Sequence, residues 1–92
     1  MMIMRHPVDS SSFRRDVARM KKRNKDMTKL RELVLLLASG TPLPPKYKDH
    51  ALLGKLSGYR GCHLEFDWVL IYKIQDTDLV LYRTGTHGDV FE

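Results

Sequence analysis

Trp68-Val69-Leu70-Ile71-Tyr72-Lys73-Ile74 is the stretch that decides the fold. A near-continuous apolar run of this kind marks a central strand covered on both faces of its sheet. Just before it, residues 59–65 alternate. Tyr59, Gly61, His63 and Glu65 fall on one face, with Cys62 and Leu64 on the other. Just after it, Gln75-Asp76-Thr77-Asp78 reads as a polar turn, and residues 79–84 form a further strand rich in β-formers. Residues 3–8 offer an edge strand.

Upstream the period changes from strand to helix. Asp9 and Ser10-Ser11-Ser12 supply oxygen acceptors that can cap a helix start. Phe13, Val17 and Met20 then recur at i, i+4 and i+7, a single apolar stripe. A break is expected near residues 24–26, with Asp26 capping a second helix whose stripe is Met27, Leu30, Leu33, Val34 and Leu37. Leu35 and Leu36 widen that stripe, so this helix is buried on two sides or awaits a partner. Gly40 and Pro42 stop it, and Pro42, Pro44 and Pro45 make residues 41–49 a loop. A helix pair followed by consecutive strands predicts an α+β fold: a helical hairpin packed on one face of a small antiparallel β-sheet. The opposite sheet face is then open to form a site. The 92 residues, 1–92, are expected to make a single domain.

Charge is concentrated in one place. Residues 14–31 hold nine basic side chains against two acidic ones, a local +7 that leaves −2 for the remainder of a chain of net +5. Such a field favours a polyanion or an acidic protein. Arg14, Arg15, Lys21, Lys22, Arg23 and Lys25 are the candidate contacts to an RNA backbone; the bland reading is a solvated helix exterior. Cys62 is the only cysteine, which fits a reducing compartment. Residues 1–7, interrupted by Arg5, do not make a signal peptide's apolar core. The longest apolar run, 33–38, is only six residues, so no membrane span is expected.

The chemistry-bearing residues are scattered in the second half: His50, His63 with Asp67 four residues on, and His87, with Arg83 between the last two. No helical period gathers them; only a folded sheet can. Imidazole gives or takes a proton near neutral pH, and a carboxylate and a guanidinium beside it point to acid–base chemistry on an anion.

Tyr47-Lys48-Asp49-His50, Gly58-Tyr59-Arg60, His63-Leu64-Glu65-Phe66-Asp67-Trp68, Arg83-Thr84-Gly85-Thr86-His87 and Phe91 together resemble the YafQ branch of the RelE-like toxins. The likeness spans nearly the whole chain, including Lys25-Asp26-Met27 and the proline loop. It implies a bacterial, cytoplasmic toxin of a type II toxin–antitoxin pair. Such a toxin cleaves mRNA in the ribosomal A site, with contacts to 16S rRNA and without a metal or other cofactor. It also implies a DinJ-like antitoxin, through which alone operator DNA is engaged. The catalytic set carried over is His50, His63, Asp67 and His87, with Arg83 on the scissile phosphate. Phe91, Lys48 and Arg60 are the substrate contacts.

Each residue has a plainer reading. Asp67 can simply close the turn between two strands. Arg83 can be held in an ion pair with Glu65 or an aspartate. A His/His/Asp metal site uses the same residues, although their spacing matches no standard zinc signature. Cys62 alternates away from His63 and reads as core. The competing function is a non-enzymatic nucleic-acid- or antitoxin-binding module acting in operon repression, with its affinity in the basic helices.

Overall fold

The run that begins at Trp68 lies at the centre of a five-stranded sheet in the computed structural model, which describes residues 4–91. In chain order the elements are β1 (His6–Asp9), α1 (Ser11–Lys22), α2 (Met27–Ala38), β2 (His50–Ala51), β3 (Arg60–Glu65), β4 (Trp68–Gln75), β5 (Asp78–Gly85) and α3 (His87–Phe91). The strand order is β1-β5-β4-β3-β2, and residues 68–72 of β4 are all buried. The fold class is the expected α+β, but the sheet is mixed. Neighbours joined by short turns run antiparallel, whereas β1 lies parallel to β5, Val8 opposite Val80. Two helices and three strands separate β1 from β5, and a connection of that length does not force a reversal. The edge strand begins at His6; Ile3 lies outside the described residues.

Both helix starts are capped by the expected residues. Ser10 Oγ accepts from the Phe13 N–H at 3.0 Å, and Asp26 Oδ1 from the Thr28 N–H at 2.9 Å. Phe13, Met20, Leu30, Leu33 and Leu37 pack on Cys62, Trp68, Leu70, Tyr72, Leu79 and Leu81, so the hairpin covers one sheet face. Trp68 is fully buried, and its indole N–H donates to Thr84 Oγ1 at 2.9 Å. That satisfies the one polar atom that would otherwise make burial costly. Cys62 is buried here, and desolvation pushes its thiol up to about 12, so it is a core residue and not a nucleophile.

Two local expectations fail. The opposite sheet face is only partly open, because Val69, Ile71 and Val90 form a second apolar cluster there with Leu52, Leu56, Tyr59 and Tyr82. Glu65 does not share the face of His63. A bulge in β3 between His63 and Glu65 shifts the alternation, and Glu65 turns to the helices, where Lys25 and Lys29 donate to it at 2.9 and 2.8 Å. Leu35 remains exposed beside an apolar groove between α1 and α2. Among the described residues no helix is long and apolar enough to cross a membrane.

Candidate active site

Two of the scattered histidines meet where the β3–β4 turn faces α3. The local cause is a reciprocal cap at the start of α3. The Thr86 N–H donates to Asp89 Oδ2 at 3.0 Å, and the Asp89 N–H donates to Thr86 Oγ1 at 3.1 Å. Gly85 makes the fold-back possible, since a Cβ there would stand 2.9 Å from the Asp89 Cβ. His87 is thereby presented to Asp67 in the turn. Asp67 Oδ1 accepts from the His87 main-chain N–H at 2.9 Å and pairs with ring Nδ1 at 2.6 Å. A carboxylate only accepts, so Nδ1 carries the proton and Nε2 is left for other partners. The main-chain N–H, and then the ring, hold the Asp67 carboxyl below the usual carboxylate range. The His63 ring centroid lies 5.3 Å from that of His87, and Phe91, one turn along α3, lies 5.7 Å from it.

Arg83 is anchored on the helix side. Its Nε donates to Asp16 Oδ2 at 2.6 Å, and its Nη2 to Asp16 Oδ1 at 3.3 Å and to the Asp89 carbonyl at 3.0 Å. The ion-pair reading therefore describes its contacts, with Asp16 as partner and not Glu65. The side chain stays one-quarter exposed, and Nη1 takes no part in these bonds. His50 pairs across the sheet with Gly61, two residues from His63 on the neighbouring strand, and its Nδ1 contacts the Lys48 carbonyl at 2.8 Å. Arg60 is bound to Asp49 through Nε and Nη2, and Asp49 also accepts from the Tyr72 hydroxyl at 2.6 Å. Among the described residues no group of three His, Cys, Asp or Glu side chains is arranged to hold a metal ion.

Residues 5–92 match the family described as the bacterial toxin of type II toxin–antitoxin systems, YafQ. The chain belongs to the YafQ family. It is 50% identical over 91 residues to the mRNA interferase toxin YafQ of Escherichia coli K12, covering 98% of this chain and 99% of that protein. The crystal structure of YafQ from E. coli BL21(DE3) superposes with a TM-score of 0.91 at 47% identity, covering 96% of this chain and 99% of that one. YafQ in the E. coli DinJ–YafQ toxin–antitoxin complex gives a TM-score of 0.90 at 47% identity, covering 98% and 100%. A metal-bound toxin from Helicobacter pylori gives 0.88 at 38% identity, covering 99% and 100%.

The basic candidates of the helical hairpin divide into two groups. Arg23 forks onto Asp89 through Nη1 at 2.6 Å and Nη2 at 3.3 Å, and Lys25 is held by Glu65. Arg14, Arg15, Lys21 and Lys22 are exposed and join no ion pair among the described residues.

Asp16 and Asp89 are the residues that sequence reasoning missed. Asp16 is buried, accepts from Arg83 and from the Thr84 N–H at 3.0 Å, and lies 3.4 Å from Arg19. Its position between Phe13 and Met20 on one helical face was the available signal. Asp89 ties α3 to α1, and Arg23 is the first cause of its carboxyl lying far below the usual range. A threonine at position 86 with an aspartate three residues on is a legible capping box.

Proposed function

We propose that this chain, residues 1–92 as one domain, is a cytoplasmic bacterial endoribonuclease that cuts mRNA in the ribosomal A site without a metal. The observation that carries this reading is the Asp67–His87–His63 arrangement, a carboxylate-oriented imidazole facing a second imidazole. In the proposed reaction the 2′-hydroxyl attacks the adjacent phosphorus and the P–O5′ bond breaks, leaving a 2′,3′-cyclic phosphate and a free 5′-hydroxyl. One group removes the 2′ proton while another protonates the leaving oxygen; each such role contributes about 10²–10⁴-fold. His87 performs one transfer through Nε2, with Asp67 fixing its tautomer, and His63 or His50 performs the other. Arg83 offers Nη1 to the phosphate while Asp16 holds its other nitrogens. Phe91 stacks on a base beside the cut. Lys48 lies along the substrate strand, and Arg60 acts there from its pair with Asp49.

Arg14, Arg15, Lys21 and Lys22 contact 16S rRNA phosphates, with Arg23 and Lys25 adding charge from within their ion pairs. The partner that silences the toxin is a DinJ-like antitoxin, as in the E. coli complex, and operator DNA is reached only through it. A binding-only module is the second reading, favoured by the apolar groove that Arg14 and Lys21 help to line.

Mapping the ends of mRNA cut by purified protein, with and without ribosomes and in chelator, tests the proposal. Cyclic phosphate ends that persist in chelator and disappear in His87→Ala and His63→Ala are expected. Cleavage that chelator abolishes, or that both variants retain at the wild-type rate, rejects it.

A further inference from the structure

Phe66 is 92% exposed, at the turn between β3 and β4 and next to Asp67. A phenylalanine side chain this exposed buries almost no apolar surface, and turns are more often built from Gly, Pro, Asn, Asp and Ser. It is not isolated. With Lys46, Lys48, His63, Leu64 and Glu65 it lines a groove of about 250 Å³. A second groove, of about 360 Å³, shares Lys46, His63 and Leu64 and continues past Tyr47, Lys29 and Glu32. His63, half of the imidazole pair, therefore opens on its outer side into a trough with aromatic and cationic walls.

The charges in the trough differ in availability. Glu65 is neutralised by Lys29 and Lys25, whose hydrogen bonds, that of Lys29 first, hold its carboxyl below the ordinary range. Lys46 and Lys48 join no ion pair among the described residues, and the Lys46 ammonium stands 5.1 Å from the Tyr47 ring centroid. Glu32 lines only the Tyr47 side. The surplus positive charge thus lies on the Phe66 side, where an exposed aromatic side chain shares its groove with two lysines that join no ion pair among the described residues. Those are the two elements of a single-strand nucleic-acid site: a stacking platform and a backbone clamp.

We propose that the Phe66–Lys46–Lys48 trough is a second RNA subsite, holding the nucleotide next to the cut on the His63 side. It rests on the endoribonuclease reading and extends it: Phe91 takes a base beyond His87, and Phe66 takes one beyond His63. A base stacks on the Phe66 ring, and the phosphate that follows lies between the Lys46 and Lys48 ammonium groups. The strand is thereby gripped on both sides of the reacting phosphate, which adds binding shared by the bound substrate and the transition state without any added contact to the reacting atoms.

Steady-state cleavage of mRNA on programmed ribosomes by wild type, Phe66→Ala, Phe66→Trp and Lys46→Gln tests the subsite. Phe66→Ala should raise KM about tenfold, the range of one base stack removed, with kcat within about twofold. Phe66→Trp should restore KM, because an indole stacks at least as well. Lys46→Gln should raise KM and reduce the slope of its salt dependence by about one phosphate's worth. An unchanged KM in Phe66→Ala overturns the proposal. So does a Phe66→Ala defect confined to antitoxin affinity, which would make this a protein-contact surface. If the wild type fails to cut at all, the endoribonuclease reading has failed on its own. The subsite is then read by binding of a short RNA with a 2′-deoxy residue at the cut: weaker binding by Phe66→Ala supports it, and equal binding rejects it.

Discussion

Asp67 grips His87 at two points through a single oxygen, its Oδ1 accepting both the main-chain N–H at 2.9 Å and ring Nδ1 at 2.6 Å. The two bonds fix the place of α3 and the tautomer of its first side chain together. Asn at position 67 keeps the size but offers an amide that can be presented to the ring as donor. Asp67→Asn should lower kcat about 10²-fold, with KM nearly unchanged. Its melting temperature should move little, because both partners are half exposed. The Asp67 carboxyl is held below its ordinary range, so it takes up its proton at lower pH than a free aspartate, whose pKa is about 3.9. An acid limb of kcat lying above that pH therefore belongs to another group. A variant with full kcat would remove Asp67 from the mechanism.

Asp89 carries a pH-dependent share of stability. Its carboxyl lies far below the usual range, chiefly because Arg23 forks onto it, with the Thr86 main-chain N–H as a further cause. A depressed carboxylate contributes stability that is fully present above its unfolded pKa, about 3.9, and is lost as pH falls through the folded value. Asp89→Ala should be about 1–2 kcal/mol less stable near neutrality, the sum of a missing cap and a partly exposed ion pair. The gap to wild type should be flat above about pH 5 and narrow on acidification below about 4. Urea unfolding at several pH values measures this, and a gap that widens in acid would contradict it.

What the sequence made legible is what has a period or a short-range cap. The β4 run, the alternation through Cys62, the stripes of α1 and α2 and the Ser10 and Asp26 caps all reflect contacts within a few residues. The direction of β1 was not legible, since it follows from a connection spanning most of the chain. Nor was the bulge that turns Glu65 away from His63, because one extra residue reverses every later side chain and leaves no compositional mark. In the candidate site, Asp67 and His87 are twenty residues apart in sequence, and only the fold makes them partners. An ion pair of Arg83 with an aspartate was legible as a possibility, but not that Asp16, sixty-seven residues earlier, is the partner. An acidic residue inside a basic stretch conceals a buried partner well.

Asp16 should matter to stability more than any exposed charge of α1. It is 1% exposed and satisfies Arg83 and the Thr84 N–H together. Asp16→Ala strands both donors, and breaking one side of a buried pair costs about 3 kcal/mol. Asp16→Asn keeps one acceptor oxygen and should cost less. Chemical denaturation gives the ranking directly. If Asp16→Ala unfolds at the wild-type midpoint, Arg83 is held by something other than this carboxylate. A second readout is kcat, which should fall in both variants as the guanidinium loses its fixed direction.

The basic candidates should separate by where their charges are spent. Arg14, Arg15, Lys21 and Lys22 face solvent, whereas Arg23 and Lys25 are tied to Asp89 and Glu65. Replacing the first four by Gln should weaken ribosome association and flatten its dependence on salt, by up to about one unit of slope for each phosphate no longer neutralised. Their melting temperatures should match the wild type, since exposed charges without partners add little to folding. Arg23→Gln should instead lower the melting temperature, because it releases the fork that anchors α3, and should carry a kcat defect through His87. Sedimentation with ribosomes at several salt concentrations, run beside thermal melts, distinguishes the two groups. The two properties follow from one geometric difference: a cation already satisfied within the chain holds the site together, and one left in water is available to a polyanion. Equal effects on binding and melting across all six positions would show that the ion pairs with Asp89 and Glu65 do not set the roles of these residues.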